Sequence, residues 1–240
     1  LIGQKLNKKL CVCLSNFLNV MCSNPGSSHC VAAIRDVVDL ETGIVQFTRN
    51  EQQDAQEFLV QIFTVLEKED VPIKDLFGVN YAWHHDCVKC ENSTVSCFEN
   101  ENFVYLTLPD TKTVCFDKLL KMAVQNNICS SCQSDMLSTL EVRSAGKYMF
   151  LVFQRCKSDG SKIHTHILNF IASQISISGK IYTTIAIIFH EGNSIESGHY
   201  TVHLRNKTGW SDCDDNTITV KPRLPYKIPN SYVILLQSKF

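Results

Sequence analysis

The sequence predicts an α+β fold, with helices gathered in the first third and short strands filling the remainder. Three observations carry this. Apolar residues up to about position 69 recur at helical spacing. Beyond about residue 76 the apolar runs are short and rich in β-branched and aromatic residues. Two Cys-x-x-Cys units interrupt that β-rich part. Helices first and strands afterwards suit a helical lobe beside an antiparallel sheet lobe.

Taken in order, Cys11 to Cys22 is largely apolar with Asn interruptions. Cys30-Val31-Ala32-Ala33-Ile34 continues into Val37-Val38 with helical spacing. Asn50 is expected to cap a helix from Glu51 to about Glu69, since Asn is a favoured N-cap. Ala55, Phe58, Leu59, Ile62, Phe63 and Leu66 give that helix its apolar face, and Pro72 is expected to end it. Strands are predicted at 103–108 and 148–153, a short helix from Phe116 to Val124, and late strands at 181–189, 200–205 and 232–236. No internal repeat or low-complexity linker divides the chain, which predicts a single domain over 1–240.

The chain has 240 residues, 44% of them hydrophobic, enough for a sizeable core. A formal net charge of -1 argues against a general phosphate-backbone binder, which would carry a basic surplus, so nucleic acid is not expected as a partner. No apolar run approaches the roughly 18 residues of a membrane span. Leu1-Ile2-Gly3-Gln4-Lys5 is not a secretory leader, and the missing initiator Met suggests a piece of a longer protein. Twelve cysteines are many. Their arrangement in Cys-x-x-Cys units points to metal binding in a reducing, intracellular compartment, cytoplasm or nucleus, rather than to a secreted disulfide scaffold.

Those units are Cys87-Val88-Lys89-Cys90 and Cys129-Ser130-Ser131-Cys132. Each places two thiolates on one tight turn, and together they make the tetrahedral four-cysteine set of structural Zn²⁺. Each is expected at a hairpin tip. His84 and His85 stand close by but are not needed, because four cysteines complete the shell.

The C-terminal third holds a second constellation. Gly192-Asn193-Ser194-Ile195-Glu196-Ser197-Gly198-His199-Tyr200 is a polar loop entering a strand, with His199 at its start. After a turn at Gly209 comes Trp210-Ser211-Asp212-Cys213-Asp214-Asp215. Antiparallel pairing brings Asp214 or Asp215 towards His199, where a carboxylate fixes the imidazole tautomer. A nucleophile for such a pair can lie far away in sequence.

These pieces together resemble the ubiquitin-specific protease family. Ser197-Gly198-His199-Tyr200, then Trp210, then Asp214-Asp215, then Tyr232-Val233-Ile234-Leu235 is similar to that family's C-terminal signature. Gln52-Gln53-Asp54-Ala55-Gln56-Glu57-Phe58-Leu59 resembles its Gln-Gln-Asp-Ala-x-Glu-Phe-Leu helix, and Phe103 to Pro109 resembles the strand between its two zinc knuckles.

The resemblance implies a papain-like cysteine protease with a helical thumb (about 1–75), zinc-ribbon fingers (about 76–145) and an antiparallel palm (about 146–240). It implies His199 as base, Asp214 as its orienting acid and Asp215 as a neighbour of the reaction. Gln53, Asp54, Glu57, Gly198 and Tyr200 become substrate contacts. The implied partners are ubiquitin, or a ubiquitin-like modifier, and ubiquitinated proteins.

Cys11 matches the family's nucleophile when Gly3, Ser15 and the apolar spacing at Phe17 and Val20 are aligned, while Cys13 matches through Asn16. Cys11 is the preferred of the two. With Cys11, Lys9 takes the place of an Asn that helps form the family's oxyanion hole, and a lysine is a poorly preorganised donor. Two readings follow: a thiol hydrolase acting after ubiquitin's C-terminal glycine, or a catalytically impaired ubiquitin-binding module of the same fold.

Overall fold

The computed structural model describes residues 9–23, 31–47, 51–120, 128–157, 159–168, 175–177, 179–194, 197–224 and 227–239. They belong to two compact units, Leu1–Ile73 and Lys74–Phe240. The described part is α+β with mainly antiparallel sheets, as the sequence predicts.

The first unit is helical, with α1 (Lys9–Ser23), α2 (Ala32–Thr42) and α3 (Ala55–Lys68). Among the described residues, Leu10, Ile34, Val38, Phe47, Phe63, Val65, Leu66 and Ile73 are its buried apolar residues. The α3 helix departs from expectation at both ends. It starts at Ala55 rather than Glu51, because Asp54 has extended backbone and its Oδ1 accepts the N–H groups of Gln56 and Glu57. Asn50 lies outside the described residues. The helix stops at Lys68, with Asp70 at φ 56, so the chain has already turned before Pro72. Cys22, on the last turn of α1, is exposed.

The second unit is mostly β. A short helix α4 (Ile73–Phe77) leads into β1 (Val79–Cys87), β2 (Ser93–Glu101), β3 (Phe103–Thr107), β4 (Thr113–Cys115) and α5 (Phe116–Leu119). There follow β5 (Met136–Ala145), β6 (Tyr148–Gln154), β7 (His166–Leu168), β8 (Ile175–Ile177) and β9 (Lys180–Glu191). The last strands are β10 (His199–Arg205), β11 (Trp210–Asp214), β12 (Thr217–Lys221), β13 (Lys227–Ile228) and β14 (Ser231–Ser238). The helix predicted over 116–124 is described as far as Leu119; residues 121–127 are outside the described set.

A large sheet runs β12-β11-β10-β9-β14-β6-β3, with β8 added beside β9. It is antiparallel apart from the β3–β6 pair. Its central strands β6 and β14 are nearly continuous apolar runs, and Met149, Leu151, Phe153, Tyr182, Ile187, Ile234 and Leu236 are buried there. A second sheet, β2-β1-β5, has β2 as a fully exposed edge. A small third sheet is ordered β13-β7-β4. Among the described residues, no helix is long and apolar enough to cross a membrane.

Candidate functional site

The hairpin of β10 and β11 carries the histidine and the acids. Cross-strand partners share a face of a sheet, and so do alternate residues along each strand. The register His203↔Asp212 therefore places His199, His203, Asp212 and Asp214 on one face. His199 Nε2 lies 2.5 Å from Asp214 Oδ1, and their side chains are 45% and 55% exposed. The Asp214 hydrogen bond, with Asp215 and Glu191 adding negative charge, raises the imidazole above its ordinary 6.5. Asp215 occupies the turn after β11 at φ 46, and the ligating atoms of His199, Asp214 and Asp215 all lie within 4.8 Å of one another.

A second His–Asp pair on the same hairpin clarifies the choice. His203 Nε2 meets Asp212 Oδ1 at 2.9 Å, but that carboxylate also binds Lys221, and burial pushes His203 down. A half-buried imidazole sharing its acid with a lysine is a packing element. The His199–Asp214 pair is the more exposed of the two. With Nε2 of His199 held by Asp214, Nδ1 is the ring nitrogen available to a thiol proton.

His199 opens its strand because Gly198 allows the chain to pass closely over β9. A Cβ at Gly198 would stand 2.0 Å from the Glu191 carbonyl oxygen and 2.7 Å from His190 Nε2. Tyr200 stacks on buried His190 with ring centroids 4.6 Å apart.

In the first unit, Cys11 sits on the first turn of α1. Its N–H donates to Glu69 Oε2 at 2.9 Å, and the N–H of Leu10 donates to Oε1 at 2.7 Å, so one buried carboxylate caps the start of the helix. Lys9 Nζ is paired with Glu41 Oε1 at 2.9 Å. Cys13 is half-buried two residues further on, on a different side of the helix. Gln53 and Asp54 line a concavity with Arg35, Phe47, Glu51, Ala55 and Phe58. Gln53 precedes α3, so it does not share a helical face with Glu57.

The two Cys-x-x-Cys turns meet. Cys87 ends β1 and Cys90 is in the turn to β2; Cys129 and Cys132 form the turn before β5, which pairs with β1. Their four sulfurs lie within 4.8 Å of one another, with Cys87–Cys132 at 3.4 Å and Cys90–Cys129 at 3.6 Å. Thiolates about 2.3 Å from a common tetrahedral centre have that kind of spacing. Asn92 donates to Cys129 Sγ at 3.3 Å and helps draw that thiol down to about 6. Ser134 lowers Cys132 in the same way. Cys90 is favoured by the Asn92 N–H, yet the sulfurs of Cys87, Cys132 and Cys129 push it up to about 12. Four crowded sulfurs cannot all ionise unless a cation replaces their protons, so the donor set fits a metal. His84 and His85 bond Glu141 and Ser138 instead. None of the eleven cysteines among the described residues is disulfide-bonded.

The model for the family described as ubiquitin carboxyl-terminal hydrolase matches residues 4–235. The chain belongs to that family. Among its relatives are ubiquitin carboxyl-terminal hydrolase 26 of Arabidopsis thaliana, 25% identical over 206 residues, and a ubiquitin carboxyl-terminal hydrolase 17-like protein C of Mus musculus, 24% identical over 219 residues. A human 17-like protein 15 is 22% identical over 224 residues. These alignments cover 72%, 78% and 80% of this chain but only 19%, 40% and 40% of the relatives, so the chain spans less than half their length. The ubiquitin hydrolase family is one of papain-like folds.

Sequence reasoning did not single out Glu69, Asn92 or Lys162. A glutamate at a helix end and an asparagine two residues past a Cys-x-x-Cys carry faint signals. A lysine amid polar residues carries none.

Proposed function

We propose that this ubiquitin hydrolase family member is a thiol-dependent deubiquitinase. Cys11 is the nucleophile, His199 the base, Asp214 the acid that orients it, and Asp215 assists from the neighbouring turn. The observation that supports this most is the exposed His199–Asp214 contact at 2.5 Å, on a chain matched by the family from 4 to 235.

The Cys11 sulfur gives its proton to His199 Nδ1 and attacks the carbonyl carbon of ubiquitin's C-terminal glycine. The tetrahedral species collapses with cleavage of the C–N bond, and the imidazolium returns the proton to the leaving amine. Water, deprotonated by His199, then cleaves the thioester and restores the thiol. Gln53, Asp54, Glu57, Gly198 and Tyr200 are the contacts for the ubiquitin tail. The first unit serves as thumb, the β2-β1-β5 sheet as fingers and the large sheet as palm. Cys87, Cys90, Cys129 and Cys132 hold one structural Zn²⁺, which ties the two turns together and takes no part in the reaction. The setting is intracellular.

One observation favours a second reading. Lys9 stands where the resemblance calls for an oxyanion-hole Asn, and its ammonium is engaged with Glu41. Losing one such donor costs about 10²–10³ in kcat. That supports a module that binds ubiquitin without efficient cleavage. A ubiquitin derivative with a C-terminal electrophile separates the readings. Covalent capture abolished by Cys11→Ala and retained by Cys13→Ala is the outcome expected of the enzyme. Saturable binding without capture would establish the module instead.

A further inference from the structure

Lys162 is only 4% exposed, on a short segment between β6 and β7. Its Nζ donates to the carbonyl oxygens of His190, at 2.5 Å, and Gly192, at 2.9 Å. Burying an ammonium is costly, and a methyl-ended side chain of similar length would fill the same space without that cost. The charge therefore needs a reason, and its two acceptors indicate one.

The residue between them, Glu191, is the strand partner of His199, and His190 is the partner of Tyr200. The two strand ends touch backbone to backbone. Besides the crowding at Gly198, a Cβ at Gly192 would meet the Ser197 carbonyl oxygen at 2.6 Å and Gly198 Cα at 2.9 Å. Any displacement of the end of β9 thus passes directly to Gly198 and His199. His199 itself is half exposed, so side-chain packing does little to hold it.

The lysine is in turn well anchored. Buried Arg155 donates to the carbonyls of Ile163, Thr165 and Ser231 at 2.9, 3.1 and 2.6 Å, which fixes the backbone that follows the lysine. Asn230 adds a bond to Glu191 and accepts the N–H of His190. Lys162 thus holds the His190 and Gly192 carbonyls, Asn230 holds the His190 N–H and the Glu191 side chain between them, and Arg155 secures the segment that carries Lys162.

We propose that Lys162 is a positioning residue for the reaction: its ammonium clamps the His190 and Gly192 carbonyls and so holds His199 in register with Asp214. This rests on the hydrolase reading given above. Burial also lowers the lysine's proton affinity, so the clamp should weaken at alkaline pH before an ordinary lysine titrates.

The test is Lys162→Met in the full chain, with Tyr182→Phe as control. Tyr182 is on β9 too, and its hydroxyl donates to the Gly146 carbonyl at 3.1 Å, at the end of the strand away from His199. Two readouts are taken: the His199 titration by NMR, and kcat and KM on a fluorogenic ubiquitin C-terminal amide. Lys162→Met should bring the His199 pKa down towards 6.5 and lower kcat by between about tenfold and 10², with KM changed by less than about threefold. Tyr182→Phe should leave the titration where it is. An unchanged titration in folded Lys162→Met overturns the proposal, as does an equal shift in both variants. If Lys162→Met does not fold, Lys162→Arg is measured by the same criteria, because it keeps the charge and displaces the donor. The titration needs no activity, so it still tests the clamp if the wild-type chain proves not to cleave. An active wild type with an unresponsive variant overturns the clamp alone.

Discussion

Replacing Asp214 by Asn keeps the side-chain volume and removes the charge facing His199. The contact is short, at 2.5 Å, but both side chains are about half in solvent. Exposed ion pairs are worth about 0.2–1 kcal/mol. Asp214→Asn should therefore lower the His199 pKa, because the Asp214 hydrogen bond is the main cause of its rise, and cost no more than that in stability at acid pH. The sign follows from the direction of the shift. The folded-state pKa is raised above 6.5, so the pair's stabilisation is fully present below about pH 6.5 and fades as pH rises through the raised value. Wild type and variant should differ in thermal stability at pH 5.5 and converge by about pH 8.5, apart from any loss of the hydrogen bond itself. For activity, the corresponding change in a serine protease triad costs about 10⁴ in kcat, with a buried carboxylate. Here the acid is half exposed, and a loss on the order of 10–10³ is expected. NMR titration of the imidazole and steady-state kinetics on a ubiquitin amide are the assays. An unchanged titration would refute the contact. A lowered pKa with kcat within twofold of wild type would refute its role in the reaction.

Protein purified under reducing conditions without chelator should carry one Zn²⁺ per chain, measured by elemental analysis. Cys129→Ser should abolish this and destabilise the β2-β1-β5 sheet, since metal binding is part of the folding free energy of such sites. Asp54→Ala should cost about 0.5–2 kcal/mol through the lost α3 cap, read as a fall in Tm. Asp54→Asn keeps the cap. If it leaves ubiquitin affinity and cleavage unchanged, the proposed tail contact of the Asp54 charge is wrong.

Much of this protein was legible in one dimension where the signal is periodic or spaced. Two Cys-x-x-Cys units imply a cluster because each turn fixes two sulfurs locally, and the two turns do meet. His199 before a strand and Asp214 after a hairpin turn imply adjacency, because antiparallel pairing follows from a short connection. Strands β6, β9, β10 and β14 showed as apolar or alternating runs. Strand β2 did not: it is exposed along its whole length, and only its pairing with β1 makes it a strand.

The start of α3 was misplaced for a related reason. Asn50 and Asp54 are both good caps by type, and local conformation selected Asp54, whose carboxylate takes the N–H groups of Gln56 and Glu57. The amino-acid order alone thus carried the α+β class, the two Cys-x-x-Cys turns and the approach of an acid of the 214–215 pair to His199, while the choice of Asp214 came from the family resemblance. Tertiary structure decided what depends on groups far apart in the chain. Glu69 caps the helix of Cys11 from 58 positions away. Lys162 reaches carbonyls 28 and 30 positions away. A buried charge finds its partners through folding, and no local pattern announces which ones they will be.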